Sequence, residues 1–333
     1  MNNRIVQKSR AMAPLPIRDG LNPSRVKLPV EEPPMKAIDF VRFLIDRQRH
    51  RAPGDDERAL HQRFADGEVV NLRGQAYAPD DLVTPGADIW FYRIPAAETP
   101  VPYEIRIIHR DDDLLVIDKP PYLATMPRGR HITETALVKM RKLTGNHDLT
   151  PAHRLDRLTS GVLVMVARPE LRGAYQTLFA RREAMKTYEA IADYSEQLAA
   201  CPEPLIWESR IEKTRGEVQA YVVDGSANAR TRVVSIAPVS DAEQRQLEAL
   251  HGPLPPQGRY VLAPETGKTH QLRIHMRDAG VPILGDPLYP ILHSVDDEDM
   301  AIPMHLIART LTFRDPVSGL DRRFLSTRGM GMM

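Results

Sequence analysis

The sequence predicts a mixed α and β fold that consists of a small N-terminal module and a larger domain. Short apolar runs of strand length, at residues 114–117 and 162–167, alternate with segments of helical spacing. The chain has 333 residues, of which 42% are hydrophobic, so it can bury the core of one large domain and a smaller one. The pattern contains no internal repeat.

Residues 1–35 are rich in proline and predict an extended basic arm, because proline is not tolerated in the interior of a helix. Residues 1–51 carry eleven lysines and arginines against five acids: Arg4, Lys8, Arg10, Arg18, Arg25, Lys27, Lys36, Arg42, Arg47, Arg49 and Arg51. Local basic patches are typical of RNA-binding surfaces, although the net charge of the chain is only +1. Ordinary solvated surface charge is the alternative.

Residues 36–97 predict a small module of two helices followed by strands. Val41 and Ile45 have the spacing of a first helix, and Leu60 lies in a second. A turn at Gly67 leads into one strand, and residues 80–92 lead into another. This tail resembles the α-L RNA-binding module of the S-four type, although the helical part departs from its usual spacing. Residues 99–102 are the expected linker.

Residues 103–328 are expected to form the larger domain. Pro169 marks a helix start, and residues 187–192 predict a further strand. Thr269 is expected to cap a short helix that Gly280 ends.

Residue spacing assigns the side chains of this short helix to two faces. Leu272 and Met276 would hold the helix against a core. Arg273 and Arg277 are four residues apart and therefore share a different face, from which Arg273 can reach a site.

Composition also restricts the cellular setting. No run of about 18 apolar residues predicts a membrane span. The N-terminus lacks the apolar core of a signal peptide. The single cysteine, Cys201, excludes an internal disulfide framework and suits a reducing cytosol. We expect a cytoplasmic monomer.

The most informative stretch is residues 153–161, which read His-Arg-Leu-Asp-Arg-Leu-Thr-Ser-Gly. It places Asp156 between Arg154 and Arg157, ahead of an apolar strand. A carboxylate beside arginines tends to stay ionised. An ionised carboxylate at the edge of a strand can act as a nucleophile or a base. A salt-bridged aspartate on a surface loop is the alternative.

This stretch resembles the signature of the RluA-type pseudouridine synthases, which isomerise uridine to pseudouridine in RNA. Residues 114–121 and 267–275, continued at 280–289, resemble further motifs of that family in the expected order. The resemblance covers about residues 104 to 327. Tyr122 stands where the family has a glycine, so the local turn is expected to differ.

The resemblance implies an α+β fold with a mixed, mainly antiparallel sheet and flanking helices. It makes Asp156 the catalytic carboxylate, which either attacks ribose carbon 1′ or removes a proton from carbon 2′. It implies a salt bridge from Arg273 that orients Asp156, and bidentate arginine suits that role. Tyr188 would stack on the uracil.

The resemblance also suggests residues that hold the RNA. Arg154 would contact the region that the flipped uridine vacates. Lys119 would either contact a phosphate or support the loop. Leu284 would either floor the pocket or pack in the core. His153 is expected to support the loop by hydrogen bonding, not to act as a base.

Three other readings remain as alternatives. His270 and His275 are five residues apart, which is poor spacing for a helical metal site, and the reaction requires no cofactor or metal. A glycosidase would need a second carboxylate to act as an acid. A non-catalytic RNA-binding protein could lack Asp156, Tyr188 or Arg273. The N-terminal module favours ribosomal over transfer RNA as the partner.

Overall fold

A computed structural model describes residues 13–214, 216–294 and 298–329. These residues form two compact units. The first runs to Thr99 and includes Pro127–Thr133, and the second comprises Pro100–Met126 and the residues from Glu134 onward. No helix in the described part of the chain has the length and hydropathy needed to cross a bilayer.

The small unit contains short strands and two helices. In chain order they are β1 (Ser24–Lys27), β2 (Met35–Lys36), α1 (Ala37–Asp46), α2 (Glu57–Ala65), β3 (Val69–Val70), β4 (Leu82–Val83) and β5 (Asp88–Phe91). Both predicted helices are present. The Asp56 side chain caps α2 by accepting a hydrogen bond from the Ala59 backbone. Val41, Leu60 and Ile89 meet in one hydrophobic core.

The described residues 13–35 of the predicted arm pack against the rest of the small unit. Strand β1 pairs with β5 in an antiparallel sheet, and Leu28 is buried in the core of the same unit. The prolines exclude a helix but leave an extended backbone free to pair, which is why the segment joins the sheet. Residues 1–12 of the predicted arm, with Arg4, Lys8 and Arg10, lie outside the described residues.

The large unit is built on an extensive sheet. Its strands are β6 (Arg106–Arg110), β7 (Leu114–Lys119), β8 (Thr150–Pro151), β9 (Ser160–Val166), β10 (Met185–Asp193), β11 (Leu205–Ser209), β12 (Ile211–Glu212), β13 (Tyr221–Val222), β14 (Ala229–Pro238), β15 (Gln257–Pro264), β16 (Leu306–Arg314) and β17 (Asp321–Leu325). Its helices are α3 (Ala136–Thr144), α4 (Arg172–Ala180), α5 (Glu196–Ala199), α6 (Asp241–His251) and α7 (Gln271–Asp278).

Most strands of the large unit pair antiparallel. Among the described residues, ten strands form one sheet with the main order β11-β14-β15-β10-β16-β9-β7-β6. Strand β16 pairs with β9 in parallel, and the other pairings are antiparallel. The fold is therefore α+β with a mixed, mainly antiparallel sheet, as predicted.

The two predicted helix starts differ in outcome. A short 3-10 turn begins at Pro169 and leads into α4, as the proline indicated. Helix α7 does not use Thr269 as its cap. Its N-cap is His270, which has a left-handed backbone (φ 59°) and makes no capping hydrogen bond through its side chain. Leu272 and Met276 pack in the hydrophobic core as expected.

Gly161 allows β9 and β16 to approach closely. Its φ is +108°, and a β-carbon there would lie 2.3 Å from the carbonyl oxygen of Ala308. Any side chain at residue 161 would therefore collide with the backbone of the neighbouring strand. This glycine brings the loop before β9 onto the centre of the sheet.

Candidate active site

A single open cleft of about 1040 Å³ in the large unit collects most of the predicted site residues. Asp156, Arg154, Tyr188 and Arg273 all line it, although they come from separate parts of the sequence. The loop between β8 and β9 provides the first two. Strand β10 provides Tyr188, and α7 provides Arg273.

The loop that carries Asp156 is fixed by hydrogen bonds on both sides of the aspartate. The Thr125 hydroxyl donates to the Leu155 carbonyl at 2.7 Å and accepts from the Leu155 backbone N–H at 3.1 Å. The Thr159 N–H donates to the Asp156 carbonyl at 3.1 Å and closes the turn. These bonds hold the backbone of Asp156 at the start of a buried strand.

Lys119 supports this loop from below. It is completely buried, and its Nζ donates to the carbonyls of Pro120 (2.8 Å), Leu123 (2.8 Å) and Arg157 (3.1 Å). An ammonium group has three N–H donors, so all of them are engaged. The prediction that Lys119 binds substrate is therefore wrong, and its alternative of loop support is what the structure shows.

Neither arginine beside Asp156 pairs with it. Arg157 makes a bidentate ion pair with Glu298, with a distance of 2.8 Å from Nη1 to Oε2, and it lies over the ring of Tyr122. The side chain of Arg154 is exposed at the cleft and has no ion pair with a described residue. Asp156 therefore has no ion pair with either neighbouring arginine, because Arg157 pairs with Glu298 instead.

Tyr122 has the backbone that glycine would have in the related motif. Its φ is 62°, in the left-handed region that a bulky residue rarely occupies. The ring is buried beside Tyr103, and the hydroxyl donates to the Ile302 carbonyl at 2.5 Å, with the Asp299 carbonyl 2.9 Å away. Burial of the ring offsets the strained backbone.

The Asp156 carboxylate makes no hydrogen bond or ion pair with the described residues, yet its charge acts on the groups around it. It contributes to the raised pKa values of Tyr188 and Arg273, and it opposes the lowering of the His270 pKa by burial. The carboxylate is therefore close to these groups and available to a ligand.

Arg273 is paired with Asp286, which corrects the predicted salt bridge to Asp156. Its Nε lies 2.7 Å and its Nη2 2.5 Å from the two carboxylate oxygens of Asp286. Burial lowers the pKa of Arg273, but the hydrogen bond and charge of Asp286, with the charge of Asp156, raise it overall. Asp286 also accepts hydrogen bonds from the backbone N–H groups of Leu288 and Tyr289. Asp286 therefore holds the guanidinium of Arg273 in place, and Asp156 is not its partner.

Tyr188 faces the cleft at an irregularity of the sheet. The register between β10 and β16 shifts between Thr187 and Tyr188, because β16 has one extra residue there, so the alternation of side chains along β10 is kept. Burial, and then the negative charge of Asp156, raise the pKa of the Tyr188 hydroxyl. The hydroxyl therefore stays protonated at neutral pH.

The histidines near the site are neutral structural groups. His153 accepts a hydrogen bond from the Val164 N–H at its Nε2 atom (3.2 Å), which agrees with its expected support of the loop. His270 contacts the Tyr289 hydroxyl, whereas His275 contacts Thr231 and Ser209. Burial lowers the pKa of both His270 and His275 to about 4. The two therefore have different partners and do not converge.

Leu284 lies outside the cleft. It packs against Ile191, Leu247 and Ile307 and borders a separate, smaller cavity. The prediction that Leu284 binds substrate is therefore wrong, and the alternative of core packing is correct. The sequence around Leu284 does not reveal whether its side chain faces the cleft or the core.

Sequence reasoning missed two groups that the fold brings to the site. Asp286 was given no role beside Arg273, although the fold places the two in a buried ion pair. Lys186 lines the cleft two residues before Tyr188 and was not considered. Its place on the same strand face as Tyr188 was the available signal, because alternate residues of a strand share a face.

Comparison with known proteins identifies the chain's family. A model of the RNA pseudouridylate synthases matches residues 113–278. The dual-specificity RNA pseudouridine synthase RluA of Escherichia coli is 30% identical over 222 residues, which are 66% of this chain and 90% of that protein. The chain belongs to the RluA-type RNA pseudouridine synthases. Its activity is accordingly that of an RNA pseudouridine synthase.

Other relatives are more distant or longer. An uncharacterised RNA pseudouridine synthase of Synechocystis is 26% identical over 253 residues, which are 74% of this chain and 79% of that protein. The mouse pseudouridylate synthase RPUSD2 is 28% identical over 201 residues, and the match spans 32% of its length. The solved structure of human RNA pseudouridylate synthase domain-containing protein 4 aligns over 67% of this chain and 88% of its own, with 24% identity and a TM-score of 0.49.

Proposed function

We propose that this enzyme isomerises a specific uridine with Asp156 as its catalytic carboxylate, and that its RNA is large-subunit ribosomal RNA. The observation that carries the first part is the unpaired Asp156 carboxylate on a loop whose backbone is anchored on both sides. A group held in place but free of partners can react with a ligand without first breaking an ion pair.

The geometry supports a role for each neighbour of Asp156. The reaction breaks the bond from ribose carbon 1′ to uracil N1 and forms a bond from the same carbon to uracil C5; C5 loses a proton and N1 gains one. Arg273, fixed by Asp286, holds positive charge near the carboxylate. Tyr188 offers a ring on which the detached uracil can stack. Attack at carbon 1′ and proton removal at carbon 2′ both remain compatible with this arrangement.

The target uridine must leave its stack to reach Asp156, which costs a few kcal/mol. Arg154 suits the compensating contact, because its side chain is exposed at the cleft without an ion pair. We therefore assign Arg154 to the RNA that surrounds the flipped nucleotide.

The test is replacement of Asp156 by asparagine, which keeps the shape and removes the charge. We expect Asp156→Asn to abolish isomerisation, by at least about 10³-fold, while RNA affinity and stability stay close to those of the wild type. Tritium release from uridine-labelled RNA measures the reaction. Asp112→Asn, an exposed aspartate on the same domain, is the control. Full activity of pure Asp156→Asn would contradict the proposal.

The choice of ribosomal RNA rests on the small N-terminal unit. One relative is described as dual-specificity, and a yeast relative as a mitochondrial tRNA pseudouridine(32) synthase, so transfer RNA is the alternative. Pseudouridine mapping of total RNA from cells with and without this gene decides between them. We further infer a monomeric cytosolic enzyme that requires no cofactor; free Cys201 suits the reducing compartment.

We also propose that residues 1–93, which include most of the small unit, contribute RNA affinity and no chemistry. Several basic residues of the unit are neutralised, including Arg25 by Asp88 and Lys36 by Asp80. Lys27, Arg49, Arg58 and Arg73 are among the exposed basic residues that have no ion pair with a described residue. These four should supply the phosphate contacts.

Changing these four residues to glutamine tests the role of the small unit. We expect the salt dependence of RNA binding to flatten, because each lost phosphate contact lowers the slope by about 0.7–0.9. Arg25→Gln with Lys36→Gln is the matched control, since both residues are already paired. An unchanged slope in the fourfold variant would contradict RNA binding by this unit.

A further inference from the structure

Lys186 is a cation without a counter-ion in the wall of the cleft. It lies on β10, two residues before Tyr188, and is mostly buried. Its side chain makes no hydrogen bond or ion pair with a described residue. Its Nζ lies over the ring of Phe179, 5.0 Å from the ring centroid. A buried and unpaired charge is costly, so this position is an exception among lysines.

A second donor without an acceptor lies on the same aromatic ring. The ring centroids of His153 and Phe179 are 4.5 Å apart. Because Nε2 of His153 accepts from the Val164 N–H, the proton of the neutral imidazole is on Nδ1. This Nδ1 is buried and has no hydrogen-bond partner among the described residues. Burial, and then the charge of Lys186, lower the pKa of His153 and keep the ring neutral, although the Arg154 backbone nearby acts in the opposite direction.

No carboxylate of the described residues compensates Lys186. Its cross-strand neighbour on β16 is Leu311, which is apolar and buried. Burial alone accounts for the lowering of its pKa to about 8. Asp156, by contrast, affects the pKa of Lys119, Tyr188 and His270 but not that of Lys186. The described residues thus provide no counter-ion for Lys186, and a negatively charged ligand in the cleft can provide one.

We propose that Lys186, with His153 beside it, binds a backbone phosphate of the substrate RNA at a subsite separate from the uridine position at Asp156. The proposal rests on the RNA pseudouridine synthase function described above. A compact ammonium group is a common phosphate ligand. The cleft, at about 1040 Å³, reaches the upper end of the roughly 300–1,000 Å³ typical of ligand sites, so it has room beyond one nucleoside.

A bound phosphate also explains why the enzyme keeps an unpaired lysine at residue 186, although the unpaired charge lowers stability. A phosphate would give the ammonium its counter-ion and the His153 N–H its acceptor. Arg182, exposed on the same wall of the cleft, could neutralise an adjacent phosphate. This subsite would thus hold the strand while Asp156 reacts with the uridine.

The test is the affinity of the full-length protein for a fluorescein-labelled, uridine-rich 12-mer RNA, measured by anisotropy against salt and pH. The variants are Lys186→Gln, Lys186→Arg and the control Lys142→Gln, an exposed lysine of α3 outside the cleft. Melting curves confirm that each variant is folded. Lys186→Met provides a second neutral variant if Lys186→Gln proves unstable.

We expect Lys186→Gln to weaken binding about 10-fold at pH 7 and to lower the salt slope by about 0.7, as for one lost single-strand phosphate contact. Wild-type affinity should fall between pH 7.5 and 9.5, because the ammonium loses its proton around pH 8. Lys186→Gln should lack this fall, and Lys186→Arg should keep its affinity at pH 9.5. Lys142→Gln should follow the wild type.

Two results would overturn the proposal. The first is the same affinity, salt slope and pH profile in wild type and Lys186→Gln. The second is that inorganic phosphate displaces the labelled RNA as well as unlabelled 12-mer does at the same concentration of phosphate groups. That result would indicate a site for free anions instead of RNA.

An isomerisation assay on total RNA from cells that lack the gene distinguishes failure of the proposed enzymatic function from failure of the proposed phosphate subsite. Lys186→Gln should raise KM more than it lowers kcat, whereas Asp156→Asn should lower kcat. If the wild type isomerised no uridine, the enzymatic proposal would fail while the binding difference at Lys186 still measured the anion site.

Discussion

Lys119 is fully buried and Lys186 partly buried in the large unit, and their surroundings are opposite. Lys119 has no exposed surface and donates to three backbone carbonyls. Lys186 has only an aromatic ring beside it. Burial lowers the pKa of both amines. The pKa direction therefore does not separate a structural lysine from a ligand-binding one, whereas the count of satisfied donors does.

The difference follows from what each lysine faces. The donors of Lys119 are used up by the backbone that holds the Asp156 loop, so it has none left for RNA. Lys186 lies on the cleft and has all of its donors available. The first lysine should thus contribute to stability, and the second should reduce it in exchange for affinity. Three substitutions test this contrast.

The largest effect is expected for Lys119→Met. It leaves the carbonyls of Pro120, Leu123 and Arg157 without their donor in a buried site. Each buried acceptor left unsatisfied costs about 1–3 kcal/mol, so we expect a loss of about 4 kcal/mol in the free energy of unfolding. Urea unfolding followed by circular dichroism measures it, with Lys142→Met as the exposed control. A loss below about 1 kcal/mol would remove the distinction between the two lysines.

Lys186→Met should change stability in the opposite direction. The pKa of Lys186 falls from 10.5 to about 8 on folding, and each pKa unit is worth 1.36 kcal/mol, so the charged form costs the fold up to about 3 kcal/mol. Since the contact with Phe179 also disappears, we expect a gain of about 1–2 kcal/mol at pH 7.

The pH dependence gives this second prediction a sign. Below pH 8 the lysine is charged in both the folded and the unfolded chain, so the full cost is present. As the pH rises from about 8 to 10.5, the unfolded chain binds more protons and wild-type stability increases relative to Lys186→Met. Unfolding at pH 7 and pH 10 measures the change. A variant that is less stable than wild type at pH 7 would show that Lys186 has a stabilising partner.

The smallest effect is expected for Lys139→Met. Lys139 is a partly exposed lysine of α3, with its Nζ 2.9 Å from Oε2 of Glu134. Surface ion pairs contribute about 0–1 kcal/mol, so its loss should cost about 0.5 kcal/mol. The same urea titration measures it. If Lys139→Met lowered the free energy of unfolding as much as Lys119→Met, burial of the amine would not determine how much a lysine contributes to stability.

The sequence predicted the location of the site better than the pairings within it. The motif at 153–161 indicated the carboxylate, and the spacing within α7 indicated that Leu272 and Arg273 face different ways. The structure confirms that spacing, because Leu272 packs in the core while Arg273 reaches Asp286. Periodicity within one helix or strand is local information, and it is therefore readable from the sequence.

Long-range partners were not readable from the sequence. Arg157 pairs with Glu298, 141 residues away, instead of with the adjacent Asp156. Side chains at neighbouring positions of a loop need not meet, whereas a folded sheet brings distant segments together. The burial of Lys119 and the position of Leu284 depend on the same tertiary packing. The antiparallel sheet itself was predicted only through resemblance to a family.

Gly161 has a consequence for experiments that rank residues by their tolerance to substitution. A saturation screen for activity would score Gly161 as low as Asp156, since even alanine would place a β-carbon 2.3 Å from the Ala308 carbonyl oxygen. Activity loss alone would then group a steric requirement with a chemical one. A parallel screen for protein abundance would separate them, because Gly161 variants should be depleted in both screens and Asp156→Asn in the activity screen alone.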